Sequence, residues 1–164
     1  MFTITLTLNR AEMGEKLRAL GELMRDPSPF LRAIGPPLVE STKKRIEAGG
    51  LGPNGEVWEP NSEETMRRAA LIGGKRFGNK PLIDTGILME TITYQISGGT
   101  LYIGTGRFAD KDPRITSTLQ FGTTRAGRGN RVKIPPRPYL GISDDDEALI
   151  NRAIENEVRS ILGA

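Results

Sequence analysis

Polar and apolar residues alternate with period two over Phe2-Thr3-Ile4-Thr5-Leu6-Thr7-Leu8, putting apolar side chains on one face and threonine hydroxyls on the other. That period predicts a half-buried β-strand. After Asn9, a capping residue type, the period lengthens, and Met13, Leu17, Leu20 and Met24 recur at helical spacing to about Arg25. This predicts an amphipathic helix with these residues on one face, weakened by Gly14 and Gly21 without being broken. Asp26-Pro27-Ser28-Pro29 reads as a turn, and Gly35-Pro36-Pro37 starts or kinks a helix because proline lacks an amide donor. A second helix is therefore placed from about Pro36 to Ala48, carrying Leu38, Val39, Thr42 and Ile46 inward. The glycine-rich run Gly49 to Gly55 ends it in a loop without regular structure.

Further along, Asn61 with Glu64 reads as a capping box for a short helix to about Ile72, ended by Gly73-Gly74. Asp84-Thr85-Gly86-Ile87-Leu88 predicts another capped turn of helix. It leads into an alternating strand, Thr91 to Ile96, which Gly98-Gly99 returns as Leu101-Tyr102-Ile103 in a hairpin. The polar segment Ala109 to Arg114 is broken by Pro113, and periodicity leaves Ile115 to Phe121 open between a helical turn and a strand. Ser143 with Asp146 predicts a second capping box. The helix it opens carries an apolar stripe of Leu149, Ile150, Ala153, Ile154, Val158, Ile161 and Leu162. The expected fold is α+β: a small antiparallel sheet made of the N-terminal strand and the central hairpin, packed against several helices, with a long extended basic loop. A chain of 164 residues fits one domain, spanning 1–164.

Charge adds an asymmetry to this layout. Between Gly122 and Gly141 there are five basic residues, Arg125, Arg128, Arg131, Lys133 and Arg137, and no acidic one. From Ile142 onward six acids face two bases, a reversal of sign that suits head-to-tail contact between identical subunits. With 37% hydrophobic and 26% charged residues the chain is somewhat polar for a self-sufficient monomer, which fits a subunit that buries more surface on assembly. No window reaches transmembrane length, and the alternating N-terminus lacks the pattern of a secretory signal. A soluble protein made in the cytoplasm, with no membrane contact, is expected.

The residue inventory removes most catalytic chemistry. The chain has no cysteine and no histidine, so thiol nucleophiles, thiolate metal sites and imidazole acid–base catalysis are absent. Gly104-Thr105-Gly106-Arg107-Phe108-Ala109 matches a dinucleotide fingerprint in form, but Asp110 to Pro113 cannot continue the helix that would hold a pyrophosphate. Gly74-Lys75 is no P-loop, since Ala69 stands in place of the first glycine and Arg76 in place of the Ser or Thr. The acidic run Asp144 to Glu147 reads as a cap complementing the helix dipole rather than as a cation site. No cofactor is implied.

Contact chemistry is better represented. The basic loop could track a phosphate backbone, but it has no aromatic residue before Tyr139 for base stacking. A solvated or subunit-contacting loop, ordering on assembly, is the preferred reading, and a nucleic-acid-binding module using residues 122–141 is the alternative. Trp58 either anchors an interface or plugs the rim of the core. In Ile134 to Ser143 the prolines hold the chain extended, while Arg137 presents a fork of donors suited to a carboxylate of a neighbour or of the same fold. Tyr139 and Leu140 follow as apolar anchors. The expected contact residues are Trp58, Arg125, Arg128, Arg131, Lys133, Arg137 and Tyr139.

Four blocks, taken in order, resemble the phage virion morphogenesis family, the tail-completion and neck-type proteins of Mu-like and related contractile-tailed phages. They are Gly52 to Pro60 around Trp58; Leu82 to Leu88 with Asp84, Thr85, Gly86 and Leu88; Ile103-Gly104-Thr105 followed by Gln120-Phe121-Gly122; and Ile134 to Ser143 with Pro135, Pro138, Leu140 and Gly141. The last is the most specific. Ile115-Thr116 and Leu119 depart from the Tyr-Ala pair and the histidine that often precede the Gln-Phe-Gly corner, and Arg107 to Arg114 is longer than usual. The resemblance implies a non-enzymatic protein of a tailed bacteriophage or prophage virion, acting in tail completion or head–tail joining. Its implied partners are copies of itself, in a ring, and other tail or connector proteins.

Overall fold

The computed structural model describes residues 10–72, 80–105 and 113–163. The expected N-terminal strand, the cap at Asn9, the Gly73-Gly74 stop and the segment 106–112 lie outside the described residues. Helix α1 spans Arg10–Arg25 and α2 spans Ser28–Ala48. Next come α3 at Glu63–Ile72 and α4 at Ile87–Thr91, followed by strands β1 at Ile92–Ser97 and β2 at Thr100–Thr105. Helix α5 at Pro113–Phe121 precedes strands β3 at Thr123–Ala126 and β4 at Val132–Ile134, and α6 covers Asp144–Leu162. The architecture is α+β, with two separate two-stranded antiparallel sheets among the described residues.

The central hairpin forms as its turn chemistry dictates. Gly98 and Gly99 both take positive φ, at 56° and 73°, the conformation a tight two-residue turn needs, and Ser97 pairs with Thr100. Helix α2 lies across this hairpin and buries Leu38, Val39, Thr42 and Ile46 as their spacing predicted. Its start, however, falls eight residues before the expected Pro36. Asp26 Oδ1 accepts from the Ser28 amide at 3.0 Å, Pro29 sits in the first turn, and the helix runs on through Pro36 and Pro37. The carbonyls those prolines leave without helical donors belong to Arg32 and Ala33, both exposed residues where water can replace the lost bonds. Gly35 explains why the helix is worth keeping there: a Cβ on it would stand 2.6 Å from Cδ2 of Tyr94. That contact sets how closely α2 approaches β1.

The core gathers Val39 and Ile46 of α2 with Trp58, Ile83, Leu88, Ile92 and Tyr139. Two amphipathic helices are less buried than their patterns predict. In α1 the face against the protein is Lys16, Ala19, Leu20 and Leu23, so Met13, Leu17 and Met24 point outward at 46%, 61% and 85% exposure. In α6 the stripe is half-buried, with Ile154 and Leu162 exposed. An apolar cavity of about 370 Å³ between α2, β2 and α6, lined in part by Leu31, Ile34, Leu101 and Ile150, shows that α6 is not pressed flat onto the core.

Three local assignments change. Leu51 bridges Val57, and the Gly52 amide donates to the Glu56 carbonyl at 2.8 Å, so the glycine run folds as a tight hairpin turn instead of a loop without structure. The cap of α3 is Ser62, whose Oγ accepts from the Thr65 amide at 3.2 Å, while Asn61 donates to the Lys80 carbonyl. The open segment Ile115 to Phe121 is helical, within α5.

Two glycine substitutions should move stability in opposite directions. Gly35→Ala is expected to lose about 1–3 kcal/mol through overpacking against Tyr94. Gly21→Ala, where an added Cβ meets nothing within 4 Å, should gain up to about 1 kcal/mol from helix propensity. Urea unfolding midpoints of the two variants check both signs.

Candidate interaction site

The segment Ile134 to Gly141 has no partner strand along its closing half, yet much of it is covered. Pro135, Pro136 and Pro138 hold it extended and remove three donors, leaving carbonyls and a few amides to be satisfied from outside. The Arg137 amide donates to the Leu119 carbonyl at 2.9 Å. Gln120 then serves in place of a neighbouring strand: its Oε1 accepts from the amides of Tyr139 at 3.0 Å and Leu140 at 3.1 Å, and its Nε2 donates to the Leu140 carbonyl at 3.0 Å. Trp58 Nε1 donates to the Pro138 carbonyl at 3.1 Å. Glycines permit the close approach. A Cβ at Gly122, whose φ is 72°, would stand 2.7 Å from the Pro136 nitrogen, and one at Gly141 would stand 2.5 Å from Cγ of Pro53.

These bonds place three of the expected contact residues inside the protomer. Arg137 is 7% exposed, and its Nε and Nη2 donate to the carbonyls of Glu59 and Pro60, each at 3.0 Å, so its fork meets backbone rather than a carboxylate. Burial lowers its affinity for the proton, against the opposing charge of Glu59. Tyr139 is fully buried and Trp58 nearly so, in the core cluster. Burial raises the Tyr139 phenol pKa, with an opposing pull from Thr105, while its hydroxyl makes no well-formed hydrogen bond. Within the protomer, Trp58 and Arg137 spend their donors on backbone carbonyls, and Tyr139 is held by burial of its ring and by its amide bond to Gln120.

A second anchor escapes the sequence pattern. Arg45, near the end of α2, pairs with Asp146 at 2.7 Å and also donates to the Gly141 carbonyl at 3.0 Å and Thr42 Oγ1 at 3.2 Å. Asp146 completes the predicted capping box of α6 with Ser143. Burial pushes the Asp146 carboxyl up, but hydrogen bonds from the Ser143 backbone and from Ser41, Arg45 and Ser143 side chains outweigh it, leaving the pKa below the ordinary value. The only sequence signal for Arg45 was a cation in the last turn of a helix, which ordinarily serves the dipole.

The remaining basic residues face outward. Arg125, Arg128, Arg131 and Lys133 are all exposed, and they stand on a β-hairpin formed by β3 and β4, not on an extended loop. Strand-forming Thr123-Thr124 and Val132 flank a turn in which Gly127, Gly129 and Asn130 all have positive φ, which is why the run folds back. Phe121, at its base, is 76% exposed. Below the hairpin a groove of about 760 Å³ brings the second and fourth blocks together, with Asp84, Thr85, Gly86 and Leu88 on one wall and Lys133, Pro135 and Arg137 on the other. Gly104 stands apart, paired with Thr93 inside the central hairpin. Among the described residues no group of three or more acidic side chains is placed to hold a metal, and the Asp144 to Glu147 run acts as a cap.

Apart from the Ile103 to Thr105 strand end, the ordered blocks pack together, and a family profile covers them: the phage virion morphogenesis family matches residues 8–159. The chain belongs to the phage virion morphogenesis family. Within curated proteins it is similar to Mu-like prophage FluMu G protein 2 of Haemophilus influenzae, 29% identical over 154 residues that span 93% of this chain and 94% of the relative. No solved structure gives a significant match. Membership accounts for the positions of the four blocks: the most specific one, Ile134 to Ser143, is the segment that the Trp58 turn, Gln120 and Arg45 all grip.

Gln120→Leu should remove three hydrogen bonds while keeping volume, leaving the Tyr139 and Leu140 amides without acceptors. The expected loss is about 2–3 kcal/mol by chemical denaturation. For Asp146, the depressed pKa contributes stability that is complete above the unfolded value of 3.8 and is lost as pH falls through the lower folded value. Unfolding free energy should therefore drop below about pH 4, and Asp146→Asn should flatten that drop while lowering stability at neutral pH. Denaturation series across pH for the two proteins provide the comparison.

Proposed function

We propose that this protein is a non-enzymatic structural component of a tailed phage or prophage virion, acting at the neck or tail end in tail completion or head–tail joining, as a closed ring of identical subunits. The observation that carries the reading is the near end-to-end similarity to a Mu-like prophage protein, over 93% of this chain, together with the family match across residues 8–159. The side-chain chemistry supports it. The buried Arg137 and Asp146 and the half-buried Gln120 and Arg45 are tightly bonded, and all serve the protein's own scaffold. No described helix is long and apolar enough to cross a membrane. Heterologous contact between copies closes into a ring when the rotation between subunits does.

A nucleic-acid contact is favoured by one observation, the four exposed cations of the β3–β4 hairpin. Such binding would weaken steeply with added salt. The sparse aromatic content of the hairpin tells against it, since Phe121 lies at its base and not on its tip.

Deleting the gene from the phage that encodes it should leave heads filled and tails assembled but unjoined, seen by electron microscopy of the lysate. Complete, infectious particles from the deletion, or a block at head formation, would contradict the assignment.

A further inference from the structure

One exposed stripe of α6 is negatively charged, opposite in sign to the hairpin, with the exposed Arg152 and Arg159 beside it. Asp144, Glu147, Asn151 and Glu155 are exposed and fall, with Ile154, within one arc of about 100° on the helix. Neither Glu147 nor Glu155 forms an ion pair with another described residue, since Asp146 alone of the α6 acids is paired and it points the other way, into Arg45. The four hairpin cations likewise make no ion pair among the described residues. The two surfaces also match in kind and size. Each sets an exposed apolar residue among its charges, Ile154 at 45% on α6 and Val132 at 51% on the hairpin. The acidic stripe from Asp144 to Glu155 is about 17 Å long at helical rise, and β3 with its turn extends about the same distance.

We infer that the acidic outer face of α6 is the docking surface for the β3–β4 hairpin of a second copy of this chain. The inference rests on the ring reading above and gives that ring its interface. One protomer offers both surfaces, so each copy donates a hairpin on one side and receives one on the other. The contact is heterologous and extends until it closes. A polyanion such as duplex DNA would meet the same hairpin cations, but it would also be repelled by the acidic face that each copy carries. Opposite charge on a single chain, flanking apolar residues on both sides, favours the second copy. Because the charges are exposed, the interface should steer assembly and weaken with salt.

The 164-residue chain, which has no cysteine, allows a clean test. The charge-reversed variants are Arg125→Glu with Arg128→Glu on the hairpin, and Glu147→Lys with Glu155→Lys on α6. Each pair alone should abolish the oligomer seen by sedimentation of the wild type, and the four together should restore it, with thermal melts confirming that every variant is folded. Arg128→Cys combined with Asn151→Cys should, on oxidation, give a ladder of covalent multimers beyond the dimer, whereas either cysteine alone should stop at dimers. A wild type that oligomerises but ignores both reversals overturns this interface and leaves the ring standing. A wild type that remains monomeric at high concentration overturns the ring and the interface together. If the hairpin reversal abolishes only salt-sensitive binding to duplex DNA and leaves assembly intact, the partner is nucleic acid and the interface is wrong.

Discussion

A proline-rich segment cannot cross a protein interior on the usual terms. Three of its residues between Pro135 and Pro138 offer no amide, so no complete ladder can form, yet its carbonyls and remaining amides must still be bonded. Here the answer is side chains. The Gln120 amide takes the place of a strand for Tyr139 and Leu140, Trp58 closes on the Pro138 carbonyl, and Arg45 on the Gly141 carbonyl. Through these bonds α2, the turn around Trp58, α5 and the start of α6 are all fixed to one eight-residue stretch. Removing the bonds of Gln120 or Trp58 strands a partly buried polar group, which is why this segment is so tightly specified.

This constraint separates the residues that build the protein from those free to meet a partner. Motif residues that look exposed and chemical in sequence, above all Arg137 and Tyr139, are spent on the scaffold. What the scaffold presents outward is charge: a basic hairpin projecting from the end of α5 and an acidic helix beginning where the anchored segment ends. Both surfaces are held by the same anchor, since β4 leads directly into Ile134 and α6 starts just after Gly141. The anchored segment thus joins a basic hairpin on its N-terminal side to a helix with an acidic first turn on its C-terminal side.

The α+β class, the central hairpin, the inward face of α2 and the Ser143–Asp146 box were legible because each depends on local spacing or on a side chain reaching its own turn. What was not legible depended on tertiary context. Pro36 and Pro37 interrupt a helix in isolation, but exposure of the stranded carbonyls and the Gly35–Tyr94 contact keep α2 continuous. Periodicity located the stripe of α1 but not what it faces, and Met13, Leu17 and Met24 turn out to look away from the core. The basic stretch read as a loop because its turn glycines hid two short strands. Arg45 read only as a cation in the last turn of a helix, since its partner lies 101 positions away. Resemblance to a family located the closing segment correctly; only the structure shows that its arginine and tyrosine point inward.

The central claim is that these surfaces serve a ring at the junction of head and tail. Cryo-electron microscopy of intact virions carrying a gold-binding tag on this subunit tests it most directly. The account predicts label confined to one annulus at the neck or tail terminus, with a fixed copy number per particle. Label spread along the tail or over the capsid, or purified virions that lack the subunit, would contradict it.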